Sequence, residues 1–124
     1  MLVSIHHIQL AAPRDCQEPA RKFYGELLGL REMEKPPELK KRGGVWFELS
    51  SGQQVHIGVA ENFSPAKKAH PAFVVANLNA LREKLNAAGY ATQDDDLFIG
   101  YNRFYVHDPF GNRIEFIEPL SEIE

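Results

Sequence analysis

Two runs of alternating apolar and polar residues, 102–107 and 113–118, flank the segment Asp108-Pro-Phe-Gly-Asn112. Pro109 fixes φ, Gly111 tolerates φ > 0, and the Asp108 and Asn112 side chains hydrogen-bond locally, so the spacing predicts a hairpin. In its outgoing strand Ile114 and Phe116 share one face and leave Glu115 on the other. The same alternation predicts a hairpin from 45–49 and 54–59 around Ser50-Ser51-Gly52. Single strands are predicted over 2–12, 30–35 (closed by Pro36-Pro37), 70–75 and 90–93.

Helical spacing follows the first strand. Ala20, Phe23, Tyr24, Leu27 and Leu28 recur on one face, with Asp15 as N-cap, Glu18 in capping-box position and Gly29 as the stop. Leu78, Leu81, Leu85 and Ala88 mark a second helix, capped by Asn77 or Asn79 and ended by Gly89. Loops are expected over 35–44, where Lys35, Lys40, Lys41 and Arg42 cluster before Gly43-Gly44, and over the acidic run 94–96. The order βαβββ thus occurs twice, in modules spanning 1–62 and 69–119 of one α+β domain.

The repeat aligns chemistry as well as apolar residues. His7 falls in the place of His70, Phe47 of Phe104, Gly52 of Gly111, Val55 of Ile114 and Ile57 of Phe116, which puts His56 in the place of Glu115. Four side chains of metal-ligand type therefore occupy two pairs of equivalent positions. By alternation all four face away from the helices, and a pseudo-two-fold would gather them around one point. His7, His56, His70 and Glu115 are the candidate metal set. His6 is read as structural on the opposite face, His107 as solvated, and Cys16 is given no role.

Composition narrows the partners. The chain has 124 residues, 44% of them hydrophobic and 25% charged, as in a globular domain. A net charge of −3 and the absence of a basic face argue against nucleic acid. One cysteine excludes an internal disulfide and a cysteine-based zinc site. With no apolar run of spanning length and no signal-peptide pattern, a cytoplasmic protein without membrane contact is expected.

These motifs together resemble the vicinal oxygen chelate superfamily: glyoxalase I, bleomycin-resistance proteins, fosfomycin-resistance enzymes and extradiol dioxygenases. The resemblance rests on the paired modules, Ile5-His-His-Ile-Gln-Leu10, Phe23-Tyr-Gly-Glu-Leu-Leu-Gly-Leu30 and Asp108-Pro-Phe-Gly-Asn-Arg-Ile-Glu115. It implies an incomplete eight-stranded barrel around a divalent metal (Fe, Ni, Zn or Mn), and a homodimer that shares sites between subunits. His7, His70 and Glu115 then match a two-His-one-carboxylate set. His56 is either a further ligand or the acid/base histidine of the dioxygenase type. The shared chemistry is chelation of two adjacent oxygens of a small-molecule substrate, with the metal as Lewis acid.

Departures separate the members. Lactoylglutathione lyases place an Arg and an Asn four residues beyond the first two ligands, where this chain has Ala11 and Ala60, and the tail after Glu118 lacks the phosphonate-binding Arg of fosfomycin enzymes. Phe104-Tyr105, Asp108-Pro109, Gly111 and Glu115 follow the last-hairpin motif of extradiol dioxygenases, but that motif's upstream His is missing. Glu115, His56 and Tyr105 are accordingly the candidate catalytic residues. Trp46, Glu48 and Arg103 are candidate substrate contacts; alternatively, Glu48 and Arg103 neutralise each other. The non-enzymatic reading is a resistance-type protein that sequesters a drug in the same fold.

Overall fold

Val55 and Ile57 in the first half of the chain, and Ile114 and Phe116 in the second, are almost wholly shielded from solvent. Each pair marks the apolar side of a central strand, and around each the chain builds a separate four-stranded sheet. The computed structural model describes residues 1–120 and divides into two units, Met1–Pro65 and Ala66–Glu124.

In the first unit β1 (His7–Ala12), β2 (Arg31–Met33), β3 (Val45–Glu48) and β4 (Gln54–Val59) are ordered β1-β4-β3-β2, with β1 parallel to β4 and the other pairs antiparallel. The second unit repeats this with β5 (Ala72–Val74), β6 (Gln93–Asp95), β7 (Tyr101–His107) and β8 (Arg113–Pro119), ordered β5-β8-β7-β6. The paired βαβββ modules expected from the sequence are present.

The first helix differs from expectation at its start and in its winding. Asp15 adopts φ 62°, a turn conformation, and Cys16 takes the N-cap position of α1 (Gln17–Ala20) without a side-chain cap. The capping box at Asp15 is therefore not formed. The chain then widens into π-helical turns over Arg21–Leu27, closed by a bond from Leu28 N–H to the Phe23 carbonyl at 2.9 Å. Phe23 and Tyr24 still reach the core, where the Tyr24 and Phe47 ring centroids lie 5.8 Å apart. Gly25 lies over Phe47, and a Cβ there would touch its ring at 3.5 Å. Burial pushes the Cys16 thiol pKa up, which fits a packing residue rather than a nucleophile.

Residues 35–44, expected as loop, contain a single helical turn, α2 (Pro37–Lys40), and rejoin the sheet through two glycines at positive φ. Gly44 (φ 82°) is the stringent one, because a Cβ there would sit 2.1 Å from the Ile57 carbonyl oxygen. Gly44→Ala is expected to cost about 2–3 kcal/mol, since left-handed strain and a backbone clash coincide. Its urea midpoint should fall with an unchanged m-value; an unaltered midpoint would refute the close approach.

In the second unit α3 (Leu78–Ala87) begins as expected, with the Asn77 side chain accepting from Ala80 N–H at 3.1 Å. Glu118, from β8, accepts from Leu78 N–H at 3.0 Å and adds a carboxylate to that helix N-terminus. Leu78 and Leu85 are buried with Phe104, Val106, Ile114 and Phe116. Several strand boundaries move, and β2 covers only Arg31–Met33 of the expected 30–35. β1 starts at His7 rather than at residue 2, and β5 starts at Ala72, so His70 precedes its strand. β6 covers Gln93–Asp95 instead of 90–93, which brings Asp94 and Asp95 out of the expected loop and into the sheet.

Hairpin pairing also revises the repeat. Trp46 lies opposite His56 and Tyr105 opposite Glu115, so Trp46 corresponds to Tyr105. Phe47 opposite Val55 then matches Val106 opposite Ile114, not Phe104, and Glu48 corresponds to His107 rather than nearly to Arg103.

Candidate functional site

Strand pairing lines up side chains across the helix-free face of each sheet. In the first unit one row runs Gln9, His56, Trp46, Met33 and the next runs His7, Gln54, Glu48, Arg31. His56 is 5% exposed and sandwiched: the Trp46 ring stacks on one side (3.8 Å between centroids, 3° between planes) and the His7 ring on the other (4.2 Å, 15°). Its Nε2 donates to Gln54 Oε1 at 2.8 Å, which leaves Nδ1 unprotonated in the neutral ring. Burial, with His7, His6 and Lys35 nearby, lowers the His56 pKa to about 4, so the ring is neutral at pH 7.

The stack has a consequence for ligation. A histidine binds a metal in its ring plane, and two nearly parallel planes 4.2 Å apart share no point within reach of both rings. In this arrangement His7 and His56 do not aim at one cation. His7 is exposed, and its Nδ1 lies 3.0 Å from that of His6. His6 thus borders His7 instead of facing away from it.

The second unit holds the other pair. Glu115, in mid-strand on β8, is 4% exposed, and its Oε1 lies 2.8 Å from His70 Nε2. His70 Nδ1 lies 3.0 Å from the Lys68 carbonyl, which can only accept, so Nδ1 carries a hydrogen. Two bare lone pairs at 2.8 Å would repel, so His70 Nε2 and Glu115 Oε1 need a proton or another cation between them. Arg103 Nη1 approaches Glu115 Oε2 at 3.3 Å, while its Nη2 donates to Asp95 Oδ1 at 3.1 Å. Burial opposes the Arg103 charge, but the hydrogen bonds to Asp95 and Glu115 outweigh it and raise its pKa. Asp95 is held low chiefly by Leu97 N–H and then by Arg103.

Glu48 and Arg103, read either as substrate contacts or as a mutual pair, each bond within their own unit. Glu48 bonds Arg31, its neighbour across β2–β3, and Arg103 bonds Asp95 and Glu115. Tyr105 is half-buried, with the Arg113 guanidinium 4.0 Å from its ring centroid and the His70 ring edge-on at 5.3 Å. Gln54, Asp95, Arg113 and the Lys68 carbonyl were not anticipated from the sequence. For Gln54 and Arg113 a signal existed: each lies two residues from its module's central site residue and so on the same face.

Among the described residues no group of three or more His, Cys, Asp or Glu could hold a metal ion; of the four anticipated ligands, His7 lies with His56 in the first unit and His70 with Glu115 in the second. Nor is any described helix long and apolar enough to cross a membrane.

Comparison with known proteins bears on the whole chain. A protein from Bacillus anthracis assigned to the glyoxalase family is 51% identical, with a TM-score of 0.93 over 97% of this chain and 98% of that one. A glyoxalase/dioxygenase from Nostoc punctiforme (22% identical, TM-score 0.79, 98% and 97% covered) shares the fold. So does a lactoylglutathione lyase from Agrobacterium tumefaciens (21%, 0.73, 94% and 94%). No curated protein matches. The family model described as Glyoxalase/Bleomycin resistance protein/Dioxygenase superfamily matches residues 4–116, taking in both modules from the first histidines to the last hairpin. The chain therefore belongs to that superfamily.

Proposed function

We propose that this protein is a metal-dependent enzyme of the glyoxalase/dioxygenase type, acting on a small oxygenated metabolite. The observation that carries the reading is His70 Nε2 facing Glu115 Oε1 at 2.8 Å while the Lys68 carbonyl fixes the hydrogen on Nδ1. A backbone carbonyl holding the far ring nitrogen is the usual support of a ligating histidine, and a divalent cation suits the gap that otherwise demands a proton. The donor set fits such an ion: His7, His70 and Glu115 would hold it as two imidazoles and a carboxylate, supplied within one chain or across a homodimer. When bound, the metal supplies Lewis acidity to two adjacent substrate oxygens.

The remaining residues divide the work. His56, stacked out of line with His7 and bonded at Nε2 to Gln54, presents Nδ1 as a proton acceptor rather than a fourth ligand. Arg103 adds positive charge beside Glu115, and Trp46 and Tyr105 offer flat walls for a planar substrate. The two chemistries in the family, lyase/isomerase and dioxygenase, both use these parts. Drug sequestration without catalysis is the second reading, favoured only by the family name, and neutral-ligand binding by metal-free protein would be its mark.

The test is metal content of anaerobically purified protein, followed by thermal midpoints with added Fe²⁺, Mn²⁺, Ni²⁺ or Zn²⁺. Near-stoichiometric metal is expected, with a stabilisation of about 2.7 kcal/mol at a hundredfold excess over Kd, or roughly 10 °C. No metal and no shift with any ion would sink the enzyme reading.

A further inference from the structure

The first unit has two clefts along its 35–44 arm, and they differ in charge balance. The larger, about 250 Å³, is lined by Arg21, Glu32, Glu34, Lys35 and Lys40; Arg21 pairs with Glu32 (2.9 Å) and Lys40 with Glu34 (2.9 Å), while Lys35, which borders both clefts with Trp46, is left over. The smaller, about 120 Å³, is bounded by Gln9, Lys35, Arg42, Trp46 and Gly58. Lys35 bonds only the Gly43 carbonyl, and neither it nor Arg42 has an acidic partner among the described residues. Lys35 lies 5.9 Å from the Trp46 ring, and Gln9 and Trp46 flank His56 from its two neighbouring strands.

Two neighbouring cations with no carboxylate between them favour an anion that joins them. Burial, and after it the neighbouring Arg42, pushes the Lys35 pKa down. Lys35 borders the indole that stacks on His56 at 3.8 Å. Gly58 lets the Gln9 amide lie close over the strand: a Cβ there would come within 2.7 Å of its nitrogen.

We propose that the Lys35–Arg42 cleft is an oxyanion subsite, taking the carboxylate or phosphate of a planar substrate whose ring lies along Trp46. Lys35 and Arg42 donate to the oxyanion, Gln9 adds an amide donor, and the indole supplies stacking area. That the substrate's reacting end then lies at His56 rests on the function proposed above; the anion site itself does not. The substrate class is thereby narrowed to anionic planar oxygenated metabolites.

Trp46 is the only tryptophan in the chain, so its emission reports on this cleft directly. EDTA-treated protein is titrated with benzoate, phenyl phosphate and the uncharged benzamide. The better-binding anion is expected to exceed benzamide by about tenfold or more, as loss of a charge-assisted hydrogen bond implies. Lys35→Met and Arg42→Gln should each weaken that anion by about tenfold, while Lys35→Arg stays close to wild type. Arg42 is exposed, so its variant keeps the fold even where Lys35→Met does not. Whichever anion binds tighter names the headgroup. Benzamide binding as well as both anions, or unchanged anion affinity in both the Arg42 and Lys35 variants, would overturn the proposal. Metal content decides the function separately, so either reading can fail alone.

Discussion

Glu115→Ala should abolish most of the stabilisation that a divalent cation gives the protein, and with it turnover. In the wild type the gap between metal-loaded and EDTA-treated protein should approach about 2.7 kcal/mol at a hundredfold excess over Kd; in the variant it should drop below about 1 kcal/mol. The reason is local. Glu115 is the one carboxylate opposite His70, at 2.8 Å, and its removal leaves two imidazoles where a charged oxygen donor is needed. Turnover on any accepted substrate should fall by about a thousandfold or more, the scale expected when a group acting on the transition-state charge is lost. The fold itself should survive, because Arg103 keeps Asp95 at 3.1 Å. Differential scanning fluorimetry with and without metal separates these effects. An equal metal-induced shift in wild type and variant would remove Glu115 from the ligand set.

The parts of this molecule that were legible in the sequence are those fixed by burial. Val55, Ile57, Ile114 and Phe116 have to point inward, so their neighbours His56 and Glu115 have to point out, and a two-residue period leaves no other arrangement. What escaped was decided by partners. Glu48 and Arg103 carry opposite charges, but each is answered by a nearer cross-strand neighbour, Arg31 or Asp95, and sequence distance does not reveal which. Asp95 itself was hidden because acidic runs resemble loops; pairing with β7, which sets Asp95 opposite Arg103, makes a strand of this one. The wide turns over Arg21–Leu27 keep the same inward residues as an α-helix, so an apolar pattern cannot distinguish the two. The stacking of His56 on His7, which keeps their ring planes from meeting at one cation, is a rotamer property that no spacing encodes.

Asp108→Ala is expected to be among the most destabilising single changes, at about 3–5 kcal/mol, and its effect should reach the site. Asp108 is 4% exposed, and its Oδ1 accepts from Phe110 N–H (2.9 Å) and Asn112 N–H (2.8 Å) while Oδ2 accepts from the Asn112 amide (3.0 Å). Truncation takes the acceptor from two backbone donors, each costing about 1–3 kcal/mol, and removes one bond of the buried Asn112 amide. Asp108→Asn keeps the Oδ1 acceptor but turns an amide toward Asn112, donor against donor, and should cost roughly half as much. The hairpin sets the register of β7 against β8, and through it the facing of Tyr105 and Glu115. Metal affinity should therefore weaken in Asp108→Ala even below its lowered melting point, and less in Asp108→Asn. Urea unfolding and metal titration at low temperature would measure both. If stability fell while metal affinity held, the turn would only anchor the fold, and the placement of Glu115 would depend on the sheet alone.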